Sequence, residues 1–230
     1  MIIEELIVVL VFLALFSIIS YKLKLLDFEG VLIANAVGIA AVIYTPNPLI
    51  CFAAVVTFFL IGELASNIKS KKHEQRTIWN VVGNSLPALV VIAMTAIYSE
   101  QAMLWQLAFF GAISAALSDT LSSEIGYFSK SKPIMITTFK KVPRGTDGGI
   151  TLLGEIAALF GAIVIAALHF YAYSDVFSAL IIIGAGMVGT NIDSLAGAIF
   201  ETRKILNNTH VNLIGCASGA IFALLTGLFL

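Results

Sequence analysis

The sequence predicts an all-α, polytopic membrane helix bundle of about eight spans, built from parallel helical hairpins with both termini outside. Three observations carry this. First, 59% of the 230 residues are hydrophobic, only 12% are charged, and mean hydropathy is +0.99. A soluble domain carries about 25% charged residues. Second, apolar runs close to the roughly 20 residues that cross a hydrocarbon core recur along the whole chain. Third, all 13 Lys and Arg residues fall in alternate connections between those runs.

The runs place spans at about 2–20, 28–45, 48–67, 80–98, 102–124, 149–170, 176–199 and 210–229. The first has Glu4 and Glu5 but no basic region or small-residue cleavage site, so it reads as a span rather than a cleaved signal. The second is the shortest and is interrupted by Asn35 and Gly38. Cys51 and Cys216 sit inside apolar runs and read as buried free thiols. His73, His169 and His210 are scattered without metal-ligand spacing.

The cations lie after spans one (Lys22, Lys24), three (Lys69, Lys71, Lys72, Arg76), five (Lys130, Lys132, Lys140, Lys141, Arg144) and seven (Arg203, Lys204). The other three connections are short and hold none. The positive-inside rule then puts every basic connection in the cytoplasm. The chain is one membrane domain, 1–230, with a cytoplasmic basic loop at 125–148, in the cell membrane. No nucleic-acid partner is expected, and nothing in the pattern specifies an oligomer. Asp119-Thr-Leu-Ser-Ser-Glu-Ile resembles Asp193-Ser-Leu-Ala-Gly-Ala-Ile, and Asn80, Thr151 and Asn212 each open an ascending helix with glycine three residues on. These matches suggest repeated hairpins of one orientation.

Ionisable side chains within spans are costly and mark function. Here Glu63, Asp119, Glu124, Glu155, Asp193 and Glu201 all fall near the cytoplasmic ends. Asp119 and Asp193 are the strongest candidates, since each stands beside hydroxyls in a small-residue helix. Asp119 and Glu124 point about 140° apart on a regular helix. Asp119 therefore suits a divalent cation, with Glu124 left for a loop cation or a second metal. The stretch from Thr137 to Gly149 mixes hydroxyls (Thr138, Thr146), bases (Lys140, Lys141, Arg144), Asp147 and three glycines (Gly145, Gly148, Gly149). Phosphate cradles have this composition. A helix predicted to start at Gly149 offers free N–H groups and a favourable dipole to an anion. Asn84 and Asn212 lie in the first turns of ascending helices. They suit either a nucleotide or a neighbouring helix.

Ser118-Asp-Thr-Leu-Ser-Ser-Glu-Ile-Gly126 followed by Thr137-Thr-Phe-Lys-Lys-Val-Pro-Arg-Gly-Thr-Asp-Gly-Gly149 resembles the integral membrane family that includes chloroplast phytyl-phosphate kinase. The likeness runs from about Asn80 to the C-terminus, and it extends more distantly to phytol and dolichol kinases and CDP-lipid synthases. It implies a CTP-dependent polyprenyl-phosphate kinase, a transferase that converts a prenyl monophosphate to the diphosphate with Mg²⁺ at the cytoplasmic face. Asp119 and Asp193 (with Glu124 as a further metal candidate) would hold Mg²⁺. Lys140, Lys141 and Arg144 would hold phosphates, helped by Thr138, the Gly145–Gly149 turn, Asn84 and Asn212. The acceptor phosphate is already ionised, so no strong general base is needed. The alternatives are cytidylyl transfer giving a CDP-lipid, and a transporter or flippase with the acids as ion sites. The latter expects charges at mid-membrane, whereas these lie at one end.

Overall fold

The computed structural model describes residues 3–69 and 75–230. Lys71, Lys72 and His73 lie outside the described residues. Among the described residues eight α-helices run in chain order: α1 (Ile3–Leu23), α2 (Phe28–Tyr44), α3 (Pro48–Lys69), α4 (Ile78–Ile97), α5 (Ala102–Gly126), α6 (Leu152–Tyr173), α7 (Val176–Ala196) and α8 (Asn208–Gly227). The all-α membrane bundle is therefore the observed fold. Among the described residues seven helices are long and apolar enough to span a membrane. The exception is α2, at 17 residues, so the expected eighth span is a short one. Both of its ends are fixed. Asp27 accepts from Gly30 N–H at 2.7 Å at the start, and the Thr45-Pro46 break ends it.

The bundle centres on α5, which packs against α3, α4, α6, α7 and α8. Its Phe109, Phe110, Ile113 and Leu117 are fully buried. Helices around it touch through small residues. A Cβ placed on Gly186 of α7 would meet Ser114 Oγ at 2.4 Å and Ala162 Cβ at 2.7 Å. Gly111 and Gly219 approach as closely across α5 and α8. In lipid, such contacts replace the hydrophobic effect as the force joining helices.

Contacts at the two ends confirm the alternation. At one end Asn47 N–H donates to Gln106 Oε1 at 3.3 Å, and Gln106 Nε2 donates to Tyr173 Oη at 2.6 Å. Connections without cations thus meet there. At the other end Asp27 N–H donates to Arg76 carbonyl, and Arg76 N–H to Leu25 carbonyl, both at 3.0 Å. Asp27 also accepts from Ile78 N–H at 3.0 Å, so one carboxylate caps both α2 and α4.

Two predicted boundaries are corrected. The sixth helix begins at Leu152, not Gly149. Gly149–Ile150 form a strand, β2, pairing antiparallel with β1, Ile134–Met135. Thr151 then caps α6 by accepting from Gly154 N–H at 3.0 Å. The free helix start expected at Gly148–Gly149 is therefore replaced by a capped one two residues further on. The seventh helix gives way at Gly197 to a π turn, Gly197–Glu201. Backbone packing explains it: Gly148, at φ +75°, lies so close that a Cβ there would strike Ala198 at 2.4 Å. The 130s–140s loop is thus a hydrogen-bonded hairpin docked on the end of α7.

At the far end Asp175 caps α7, accepting from Phe177 N–H at 3.0 Å and from Ser178 Oγ at 2.5 Å. The Ser178 hydroxyl, aided by these backbone groups, holds the Asp175 carboxyl below its ordinary value. A depressed carboxyl stabilises the fold above its unfolded pKa and loses that contribution as pH falls through the folded value. Asp175→Ala is expected to cost about 1 kcal/mol, read as a lower melting temperature at neutral pH. The gap between wild type and variant should close only in acid below the usual carboxylate range.

Candidate functional site

Two polar chambers open at the basic end of the bundle. The larger, about 590 Å³, lies among α3, α4, α5 and α8; Arg76, Asn80, Asn84, Glu124 and Asn212 line it. The smaller, about 280 Å³, lies between α5, α7 and the hairpin; Arg144, the Gly145–Gly149 turn, Thr151, Asp193 and Glu201 line it. Asp119, Ser123, Tyr127 and Asn208 line both. Asp119 is therefore the acid shared by the two chambers.

Asp119 of α5 and Asp193 of α7 line the smaller chamber together and act on each other through charge. The Thr190 hydroxyl leans on Asp119 Oδ1 at 3.4 Å. Asp193 Oδ2 is buried with no hydrogen-bond partner, and Gly215 of α8 leaves room for it, since a Cβ there would lie 3.1 Å away. Two carboxylates in contact repel unless a proton or cation lies between them. A buried acceptor left unsatisfied calls for the same remedy. The pair therefore fits a hard divalent cation, which takes oxygen ligands and completes its shell with water and phosphate oxygens. Among the described residues no three His, Cys, Asp or Glu side chains converge. Glu124 lines the larger chamber and acts on Asp119 through charge; it does not join the pair as a third ligand. Glu201, turned inward by the π turn, acts electrostatically on Asp193.

The remaining predicted residues divide clearly. Arg144 donates to the Ser129 carbonyl, which anchors one arm of its fork. Gly145, at φ +80°, has open space where a Cβ would stand. Thr146 folds its hydroxyl onto the Pro143 carbonyl at 2.8 Å. Asp147 faces Glu201, and the two raise the negative charge at that side. Asn84 and Asn212 both line the larger chamber. The Asn84 Nδ2 donates to Asn80 carbonyl at 2.9 Å, leaving its buried Oδ1 unpartnered. Thr138, Lys140 and Lys141 sit around the exposed hairpin tip and line neither chamber. The hydroxyls beside Asp119 are spent on packing: Ser118 donates to Ala158 carbonyl and Thr120 to Ala116 carbonyl. Glu155 pairs with Asn191 at 3.2 Å between α6 and α7.

Arg76 is the residue sequence reasoning passed over. It reads as one more topology cation, yet its guanidinium lines the larger chamber. It donates to Gly62 carbonyl at 3.2 Å and Ser66 Oγ at 2.6 Å, and sits 3.8 Å from buried Glu63. An acid placed one helix end away was the only signal for it.

A family described as integral membrane protein DUF92 matches residues 11–220. Membrane protein MJ0933 of Methanocaldococcus jannaschii is 36% identical over 212 residues, covering 89% of this chain and 87% of its own. Protein VTE6, chloroplastic, of Arabidopsis thaliana is 32% identical over 197 residues, covering 78% of this chain; the match spans 59% of the Arabidopsis protein. Protein PGR of the same plant is 32% identical over 79% of this chain and 74% of its own. No solved structure matches. The family expected from the Ser118–Gly149 motif is borne out, and the match takes in all the residues of both chambers: the chain belongs to the DUF92 integral membrane family.

Proposed function

We propose that the protein transfers the γ-phosphoryl group of CTP to a prenyl monophosphate. The observation that carries this reading is the buried Asp119–Asp193 pair where two open polar chambers meet, at one end of a hydrocarbon-rich bundle. Phosphoryl transfer needs two phosphate sites facing one centre of compensating charge, and little covalent help. Arg144 and the backbone of Gly145–Gly149 hold the triphosphate in the smaller chamber. Asn84 and Asn212 help hold the acceptor phosphate in the larger. Asp119 and Asp193 hold Mg²⁺, which when bound neutralises charge on the phosphoryl oxygens. An ionised oxygen of the acceptor attacks the γ-phosphorus. The bond from that phosphorus to the β–γ bridging oxygen breaks, and CDP leaves with the electron pair. Cytidylyl transfer is the rival reading, and the products separate them. Purified protein with Mg²⁺, labelled CTP and geranylgeranyl monophosphate should give CDP and the diphosphate. Pyrophosphate with a CMP-bearing lipid would replace this proposal.

The Arg144 fork carries a sharper expectation. One arm is committed to the Ser129 carbonyl, and the rest of the planar group faces the chamber. Lysine cannot do both. Arg144→Lys should lower kcat/KM for CTP about tenfold, equal to about 1.4 kcal/mol, with expression unchanged. Initial rates against nucleotide concentration measure it, and an unchanged curve would reduce Arg144 to a loop anchor.

The site faces the cytoplasm in this proposal, on the strength of the cation bias alone. Cysteines introduced as Asn47→Cys and Lys141→Cys should label from opposite sides of sealed vesicles. The native Cys51 and Cys216 are buried and leave a clean background.

A further inference from the structure

The larger chamber continues beyond its polar residues. Arg76, Asn80 and Asn84 also line an apolar groove that runs between α2, α3 and α4 past Val37 and Phe58. That groove shares Ala34, Val55 and Phe59 with a second one, which runs on between α1, α2 and α3 past Phe16 and Phe52. The second is lined almost wholly by hydrocarbon. Polar chamber, first groove and second groove thus adjoin one another through shared lining residues. The series begins at Arg76 and ends among aromatic rings.

The smaller chamber is lined instead by loop, hydroxyl and carboxylate. The asymmetry distinguishes the two substrates. A nucleoside triphosphate has no part that gains from apolar walls of this length. A phosphorylated single-chain lipid suits this order of linings: the head needs a cation at the mouth, and the tail needs hydrocarbon. Arg76 is held for that task. Gly62 carbonyl, Ser66 Oγ and Glu63 fix it from behind, and fixing a guanidinium reduces the entropy lost on gripping a phosphate. The peripheral packing of α1 suits the role as well. It meets α3 through two ring pairs, Phe12 with Phe52 and Phe16 with Phe59, and it makes no extensive contact with the central helix. Such a helix can part from its neighbours to admit a tail from the side.

We infer that the groove along α1–α4 is the binding site for the hydrocarbon tail of the acceptor lipid, with Arg76 at its mouth holding the lipid phosphate. This rests on the phosphotransfer reading for its choice of a phosphorylated lipid. It adds a second site, a new residue and a direction of entry. Ala34 lines both grooves, so a bulky side chain there obstructs both.

The test is photo-labelling of the full-length chain in lipid nanodiscs, without nucleotide. The probe is geranylgeranyl monophosphate carrying a diazirine at the far end of its chain. Label should fall on peptides holding Phe12–Phe16 and Phe52–Phe59. Unlabelled geranylgeranyl monophosphate should compete, and geranylgeraniol should compete about tenfold less well, the loss expected when a charge-assisted phosphate contact is absent. Ala34→Trp should remove this labelling while leaving the elution profile unchanged, and Arg76→Gln should weaken it about tenfold. If Arg76→Gln fails to fold, Ala34→Trp decides alone. Label on α6–α8, or a pattern unmoved by Ala34→Trp, would overturn the assignment. Groove labelling in a protein that forms no diphosphate would instead overturn the kinase reading and leave the lipid site standing.

Discussion

Asp193→Asn should abolish turnover while leaving the protein at least as stable as wild type. The two halves of that expectation have one cause. Asp193 Oδ2 is buried, unpartnered, and next to the Asp119 carboxyl. An amide at position 193 supplies an N–H that Asp119 accepts, so the repulsion between two acids becomes a hydrogen bond. The fold gains what the site loses, because a pair with one carboxylate fewer holds a divalent cation far less well. Removing one preorganised electrostatic group from a transition state costs about a hundredfold to a thousandfold. Asp119→Asn should behave alike, with a smaller gain in stability because Thr190 already serves that carboxyl. Two measurements decide. The first is turnover at limiting Mg²⁺. The second is the rise in melting temperature on adding Mg²⁺, which needs no substrate and should vanish in both variants. Wild-type turnover in Asp193→Asn would remove the pair from the chemistry.

A large structural effect is expected at Gly186. Valine there puts a Cβ 2.4 Å from Ser114 Oγ and 2.7 Å from both Ala162 Cβ and Ser118 Oγ. None of these is the far end of a flexible chain. Ser114 is bonded to Ile182 carbonyl and Ser118 to Ala158 carbonyl, both at 2.9 Å in the buried core. Helices α5, α6 and α7 meet at this point, so relief requires moving whole helices. Overpacking of this kind costs about 3 kcal/mol. Gly186→Val should fail to accumulate, or should melt well below wild type in matched detergent. Gly145→Ala is the control. Its Cβ meets nothing, and only the left-handed backbone charges about 1 kcal/mol. Equal melting temperatures for the two variants would show that close helix contact at Gly186 does not hold the bundle.

The helices were legible because bilayer length and residue hydropathy leave few alternatives. The likeness of Asp119-Thr-Leu to Asp193-Ser-Leu placed two acids at one depth on two helices, and depth is most of what pairing needs. What stayed hidden depended on contacts between distant segments. β1 and β2 are two residues each, too short to show alternation, so the loop looked unstructured. Gly148 looked like an opening for an anion, and its immediate reason is the approach of Ala198. Lys140 and Lys141 stood as adjacent bases in the expected phosphate cradle, yet they lie at the exposed hairpin tip. Arg76 had the opposite fate. Its charge was assigned to topology, and only the meeting of α3, α4 and α5 brings it to a chamber.

The shortness of α2 has a mechanical side. Seventeen residues rise about 25 Å, whereas the surrounding hydrocarbon is about 30 Å thick. A bilayer meeting a short apolar element thins beside it, at a cost of a fraction of a kcal/mol per Å. The thinning is local, and α2 forms one bank of the tail groove. Such thinning would bring lipid headgroups beside this helix closer to the end of the bundle that holds Arg76. A lipid phosphate arriving from the side has less far to sink before it is neutralised. If the groove takes the acceptor's tail as proposed, such a dent would ease delivery of the lipid phosphate to Arg76, and delivery should slow in thicker bilayers.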